Sequence, residues 1–218
     1  MSVLSDLMGP AGQGDRFYGV AFAIVTNNQD PEGLARVKVA LPWLGDQAES
    51  DWARVVTPMA GPERGVYFLP EVDDEVLVAF EQGSPAAPYV LGGLWNGKDK
   101  PPESNSDGKN DRRTIKSRSG HVIRLTDTKD QEQIEIIDSS GKNSIVISTK
   151  DNSVTVSANG DITIKAGGKL TLQAQDDLII KGKAVTTEAQ ADLTIKGQAV
   201  TTEAKADLTI KGQVVNIN

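Results

Sequence analysis

Apolar and polar residues alternate at period two through most of this chain, the pattern of strands with one buried face. In the first hundred residues the alternation comes in short runs that predict strands at Tyr18–Val25, Ala35–Leu41, Ala53–Val56, Glu75–Phe80 and Tyr89–Leu94. Turn-forming stretches separate them, Asn27–Gly33, Leu44–Ser50 and Gly83–Pro88. Five short strands in such a span suggest a small closed barrel of the oligonucleotide/oligosaccharide-binding (OB) type, with a plain sandwich as the alternative.

Further along, the alternation becomes periodic. Asp177-Leu178-Ile179-Ile180-Lys181-Gly182 returns fifteen residues later as Asp192-Leu193-Thr194-Ile195-Lys196-Gly197, and again as Asp207-Leu208-Thr209-Ile210-Lys211-Gly212. Between them, Ala184-Val185-Thr186-Thr187-Glu188-Ala189 recurs as Ala199-Val200-Thr201-Thr202-Glu203-Ala204. Upstream the same beat is looser: Val154/Val156, Ile162/Ile164, Leu170/Leu172 and Leu178/Ile180 follow one another at eight-residue steps, and Ile145/Ile147 lies nine before the first. Self-similarity at a short fixed period marks an architecture that grows along one axis.

A lone ribbon with one apolar face and two open edges is not a stable object in water. Eight residues are also too few for a full coil of a single-chain solenoid. Three chains wound together solve both problems, each supplying one side of a triangular prism. On this reading Val154, Val156, Ile162, Ile164, Leu170, Leu172, Leu178, Ile180, Leu193, Ile195, Leu208 and Ile210 line the axis, and Thr, Lys, Asp and Glu cover the outside. A single-chain solenoid is the competing arrangement.

Composition divides the chain. All ten aromatic residues lie between Phe17 and Trp95, and all ten prolines precede residue 103. Residues 97–114 are polar and rich in turn formers, as a linker is. Charge divides too, net −8 over residues 1–110 and net +1 over the remainder. With no cysteine there is no disulfide framework and no thiolate chemistry. No run approaches the eighteen apolar residues of a spanning helix. The N-terminus lacks the basic and apolar regions of a secretory signal, so the expected site of synthesis is the cytoplasm.

Catalytic chemistry has little to start from. The single histidine, His121, falls in Ser119-Gly120-His121-Val122-Ile123, on a strand at the start of the periodic region, without the acid and nucleophile of a triad. Glu71, Asp73, Asp74 and Glu75 are the densest acids, but they precede a strand and read as a solvated turn. The glycines of Val90-Leu91-Gly92-Gly93-Leu94-Trp95 open no helix, which disfavours a phosphate loop. No metal ligand set or cofactor motif is evident, and an acidic barrel should repel nucleic acid.

Residues 16–95 resemble the baseplate assembly protein V domain, the OB domain of central spikes in contractile phage tails and type VI secretion machines. The resemblance rests on Phe17-Tyr18-Gly19-Val20, Asp30-Pro31-Glu32-Gly33-Leu34-Ala35-Arg36-Val37-Lys38-Val39, Leu41-Pro42-Trp43 and Trp52-Ala53-Arg54-Val55. It continues in Gly65-Val66-Tyr67-Phe68-Leu69-Pro70-Glu71-Val72-Asp73-Asp74-Glu75-Val76-Leu77-Val78 and Pro88-Tyr89-Val90-Leu91-Gly92-Gly93-Leu94-Trp95. Ile115-Lys116-Ser117-Arg118-Ser119-Gly120-His121-Val122-Ile123 is similar to the lead-in of valine–glycine-repeat spikes, and the periodic tail to their trimeric β-helix.

The resemblance implies an all-β chain, an N-terminal OB barrel (residues 16–96) followed by a linker (97–114) and a C-terminal intertwined trimeric β-helix (115–218). It implies a non-enzymatic structural protein that pierces an envelope when a sheath contracts, touching the target membrane only transiently. The expected partners are two further copies of the chain, a separate hub or tube-initiator protein, a PAAR-repeat tip protein and possible effectors. Residues 1–15, through an apolar turn with Leu4, Leu7 and Met8, would dock on the hub, with a frayed tail as the alternative, and Asn216, Ile217 and Asn218 would seat the tip. The setting would be a virion tail or tail-like particle. Neither the lysozyme domain nor the histidine-bound iron apex of some relatives has a counterpart here. A trimeric fibre or adhesin is the alternative, though it would call for exposed aromatics beyond Trp95. A β-helical carbohydrate enzyme would need an uneven cluster of charges where Asp177, Asp192 and Asp207 are merely periodic.

Overall fold

The computed structural model describes residues 16–45 and 48–216, so Leu4, Leu7, Met8, Ile217 and Asn218 lie outside the described residues. Twelve strands and one 3-10 turn (Glu81–Gly83) make up the regular structure. The chain divides into two units, one running to Asp161 and the other from Ile162 onward.

The first unit begins with a closed barrel. Its strands are β1 (Val20–Asn27), β2 (Arg36–Ala40), β3 (Ala53–Val55), β6 (Glu75–Phe80) and β7 (Pro88–Gly93), joined in the order β1-β2-β3-β7-β6 and back to β1. All neighbours are antiparallel except β3 and β7. Each follows from its sequence: in Arg36-Val37-Lys38-Val39-Ala40 the valines are buried and the other residues half-buried, and Glu75–Phe80 alternates likewise. Val25, Val37, Val39, Leu41, Val76, Val78 and Val90 fill the interior, with Phe17 packed beside them against Trp43 and Phe80 at ring separations of 4.8 and 5.5 Å. Two register irregularities, at Val25/Asn27 and Leu77/Val78, bend the strands where a five-stranded sheet must close on itself. Closure settles the choice between barrel and sandwich. A hairpin of two-residue strands, β4 (Ala60–Gly61) and β5 (Arg64–Gly65), projects from the β3–β6 connection.

The loop before β2 is held by one carboxylate. Asp30 accepts both Nε and Nη2 of Arg36, at 2.8 and 2.7 Å, and also the backbone N–H groups of Glu32, Leu34 and Arg36. The loop reaches this geometry through positive φ at Gly33 (67°) and Ala35 (57°). The Asp30 side chain is only 3 % exposed, and its bond to Arg36, aided by the backbone donors, holds its carboxyl well below the ordinary carboxylate range.

After the barrel, β8 (Arg112–Lys116), β9 (Val122–Thr126), β10 (Gln133–Ile137), β11 (Ser144–Ser148) and β12 (Ser153–Ser157) form a second sheet, an antiparallel meander in simple sequence order. Strand β8 starts inside the span read from sequence as linker. The stretch from β8 to β12, most of it read from sequence as the start of the intertwined helix at 115–218, pairs strand to strand within the chain. The reason lies in the connections: the loops between these strands run four to six residues, long enough for the chain to reverse as hairpins. Beyond Ser157 the corners are shorter. There the second unit is extended, no strand is assigned among its described residues, and all of them are exposed.

Candidate functional site

The meander has two unlike faces, and the wrong one faces water. Register places Ile115, Ile123, Ile136, Ile145 and Val156 side by side in one row. Leu125, Ile134, Ile147 and Val154 form a parallel row two residues away, on the same face. Strands β9 to β12 each contribute their second and fourth residues and β8 its fourth, with Arg113 at its second, as period-two alternation requires. These nine aliphatic side chains are 41–68 % exposed. The first row floors a depression of about 530 Å³ that His121 also borders.

The opposite face carries most of the polar residues together with Val122, Ile137 and Val146, and is the better covered. Glu135 lies between Ile134 and Ile136 in sequence, yet its side chain is only 13 % exposed, against 45 and 50 % for the two isoleucines. The cover comes from the preceding segment. Glu103 accepts hydrogen bonds from Thr114 Oγ1 and Arg124 Nε, both at 2.9 Å, and from Arg112 Nη1 at 3.2 Å, while Arg124 also reaches Glu135. These bonds, led by the one from Thr114, hold the Glu103 carboxyl below its usual range against the opposing effect of partial burial. A sheet whose charged face is packed and whose aliphatic face is open has inverted the usual arrangement.

Of the axial residues expected from sequence, Val154 and Val156 sit on this apolar face, on the edge strand β12, opposite Ile147 and Ile145. The other ten, Ile162 through Ile210, lie in the second unit and are 52–72 % exposed. Within the chain the structure brings none of those ten into a core. Asn216, expected at the tip seat, is exposed. The eight-residue spacing that defined the axial set begins at Val154, so sequence reasoning passed over Ile115, Ile123, Leu125, Ile134 and Ile136. Their signal was the alternation Ile123-Arg124-Leu125 and Ile134-Glu135-Ile136.

The residues considered for chemistry have structural employment. His121 precedes β9 and its Nδ1 accepts the Ser139 N–H at 3.1 Å. Asp74 closes the acidic turn by accepting the Glu71 N–H at 2.8 Å, Glu71 pairs with Arg118 at 3.0 Å, and Glu75 accepts from Asn96. Asp138, gathered by Ser140 and the Asn143 backbone, has its carboxyl lowered to about 2. Among the described residues no group of three or more His, Cys, Asp or Glu side chains could hold a metal ion, and no helix is long and apolar enough to cross a membrane. A cleft of about 640 Å³ beside the β4–β5 hairpin is lined by Leu34, Met59, Val66, Tyr67 and Phe68, with Glu63 and Arg64 as its charged groups.

Comparison with known proteins bears on the barrel first. Residues 21–95 match the family described as the type VI secretion system/phage-baseplate injector OB domain. Among curated proteins, the chain is 34 % identical over 136 residues to the type VI secretion system spike protein VgrG5 of Pseudomonas aeruginosa, covering 55 % of this chain and 17 % of that protein. It is 32 % identical over 82 residues to the type VI secretion system spike protein VgrG3 of Vibrio cholerae, covering 36 % of this chain and 8 % of the relative. A V. cholerae relative named actin cross-linking toxin VgrG1 is 34 % identical over 71 residues, 31 % of this chain and 6 % of its own length. The chain thus spans less than a fifth of each of these three relatives. The closed five-stranded barrel and these matches identify residues 21–95 as an injector OB domain of the type VI secretion/phage-baseplate kind, and the chain is similar to VgrG spike proteins over up to 136 residues.

Proposed function

We propose that this chain is the barrel-and-rod portion of the central spike of a contractile injection machine, working as a homotrimer. The observation that carries the proposal is the inverted sheet, with nine aliphatic side chains open to solvent in two straight rows. Two further copies of the same sheet would close these rows into a prism interior. The ten axial residues from Ile162 to Ile210 are exposed too and need the same cover.

The work in this reading is mechanical. Every strand of an interwound prism is bonded to strands of other chains, so none can peel off alone under load. The barrels, which bury their own core, form a collar around the base, and the polar outer surface slides through an envelope without seeking to stay in it. Resemblance alone supplies the remaining partners, a hub protein at the collar and a PAAR-repeat tip near Asn216. The same holds for the setting, a virion tail or tail-like particle.

Native mass in solution tests the proposal. A species near three times 23.2 kDa that persists in mild detergent, and that Ile195→Asp dismantles, is the expected result. A stable single-chain species of the unmodified protein at micromolar concentration would overturn it.

A further inference from the structure

The fifteen-residue unit contains two unlike strands, and their outward residues carry opposite charges. Counting from the first inward aliphatic of each step (Leu178, Val185, Leu193, Val200, Leu208), the third residue on is Lys181, Glu188, Lys196, Glu203 and Lys211 in turn. Position and sign therefore alternate together, once per strand. The corner that follows each Lys-bearing strand is the same every fifteen residues. A side chain placed on Gly182 or Gly197 would meet the carbonyl two residues on at 3.0 Å and the following valine's Cγ2 at 3.7 Å, and at Gly212 the values are 3.2 and 3.7 Å. Among the described residues no ion pair joins any two of these five side chains within the chain.

We infer that these five residues form an interchain charge ladder on the outside of the rod, in which each Lys-bearing strand of one chain lies between Glu-bearing strands of its neighbours. The inference rests on the trimeric reading above and adds to it the order of the strands. When three chains wind about one axis, each moves to the next face as it advances one step. The strand stacked on step n of one chain is then step n + 1 of another. Lys181 of one copy meets Glu188 of the next, Glu188 meets Lys196, and so on to Lys211.

A single exposed pair of this kind stabilises little. Its effect is on order: displacement of one chain by one step would set Lys against Lys and Glu against Glu on every rung that chain shares, and like charges directly opposite are unfavourable. A displacement by the full fifteen residues would restore every pair, so the ladder fixes odd against even steps only. The sheet and barrel upstream must set the rest.

The chain has no cysteine, which makes the test clean. Stacked neighbours in adjacent strands lie about 4.7–4.9 Å apart, within disulfide range. The full chain carrying Lys196→Cys and Glu203→Cys, mildly oxidised, should run as a covalent trimer on a non-reducing denaturing gel, while each single variant stays uncrosslinked. A native trimer in which Lys196→Cys alone crosslinks would overturn the ladder and leave the spike reading standing. A monomeric native mass with the disulfide formed inside one chain would overturn both. If the double variant does not assemble, carbodiimide coupling of the unmodified protein, assembled from a mixture of isotopically light and heavy chains, gives the same decision. Lys196–Glu203 or Lys196–Glu188 links between light and heavy peptides are expected, and links confined to peptides of one isotope would overturn the inference.

Discussion

Truncating Ile136 to alanine separates the apolar face as an interface from the apolar face as an ordinary surface. Ile136 is 50 % exposed in the single chain and lies beside Ile145 across the β10–β11 pair. Fully burying such a side chain contributes about 1.5–3 kcal/mol, so half-burial makes Ile136→Ala cost a lone chain roughly 0.8–1.5 kcal/mol. In a closed prism the same truncation removes core atoms, about 2–5 kcal/mol per copy. The difference, at least about 0.5 kcal/mol per chain, is counted three times in a trimer. At about 1.4 kcal/mol per tenfold, association should weaken by roughly tenfold or more, while each chain keeps most of its own stability. The assay is a dilution series by native mass spectrometry or sedimentation, with Thr155→Ala on the opposite face as the control. Dissociation of Ile136→Ala and the unmodified protein at the same concentration would refute the reasoning. So would an equal shift in the Thr155→Ala control.

Other perturbations test the parts separately. Val78→Ala, at a fully buried barrel position, should lower barrel stability by about 2–3 kcal/mol through lost burial and a residual cavity, read as a shifted urea midpoint, with the oligomeric state unchanged. Asp30 titrates lower in the folded barrel than in the unfolded chain, so its contribution is present above the ordinary carboxylate range near pH 4. That contribution disappears as pH falls below the range, and Asp30→Asn should destabilise the barrel near neutrality while flattening its midpoint-versus-pH curve between about pH 5 and 2. A parallel curve would contradict the assignment. Glu103→Ala should release the segment that covers the polar face, giving faster proteolytic cleavage at residues 97–110 than in the unmodified protein; unchanged cleavage would show that the Arg124 and Thr114 contacts do not hold it.

The barrel was legible because its strands obey a rule that needs no partner. Arg36-Val37-Lys38-Val39 and Glu75–Phe80 alternate, loops rich in Pro, Gly and Asn bound them, and the observed limits differ from those expected by a residue or two. What alternation could not convey was anything held by one long contact. The Asp30–Arg36 clasp depends on a loop coiled through Gly33 and Ala35, and no periodic signal announces it. The β4–β5 hairpin has strands of two residues, too short for any pattern, and turns through Glu63 at a φ of 54°. In the meander, Ile134-Glu135-Ile136 alternates, but the eight-residue spacing passes over it, and alternation does not say what covers either face. The inversion depends on Glu103, which bonds to Thr114 and Arg124 on the polar side. Downstream, spacing identified the aliphatic set, and burial within one chain does not test it, because those residues touch no core of their own.

The three regions differ in one physical respect, how much of its apolar surface each covers alone. The barrel closes its hydrogen-bond ladder and hides its valines. The meander closes the ladder between its strands but leaves one face open. The repeat does neither within the chain. A rod built only of repeats would have to pay the ordering entropy of three chains at the moment they meet. A folded barrel followed by a preformed sheet reduces that cost, since the sheet already presents its rows in register. On the trimeric reading the meander is therefore a nucleus: it brings three chains together with their steps aligned, and each later step adds its aliphatic pair to a prism already begun. This division also explains why the repeat can be nearly identical from unit to unit. Alignment is fixed upstream, by strands whose loops and sequences are all different, so slippage by a whole unit is resisted by a region that has no unit to slip by.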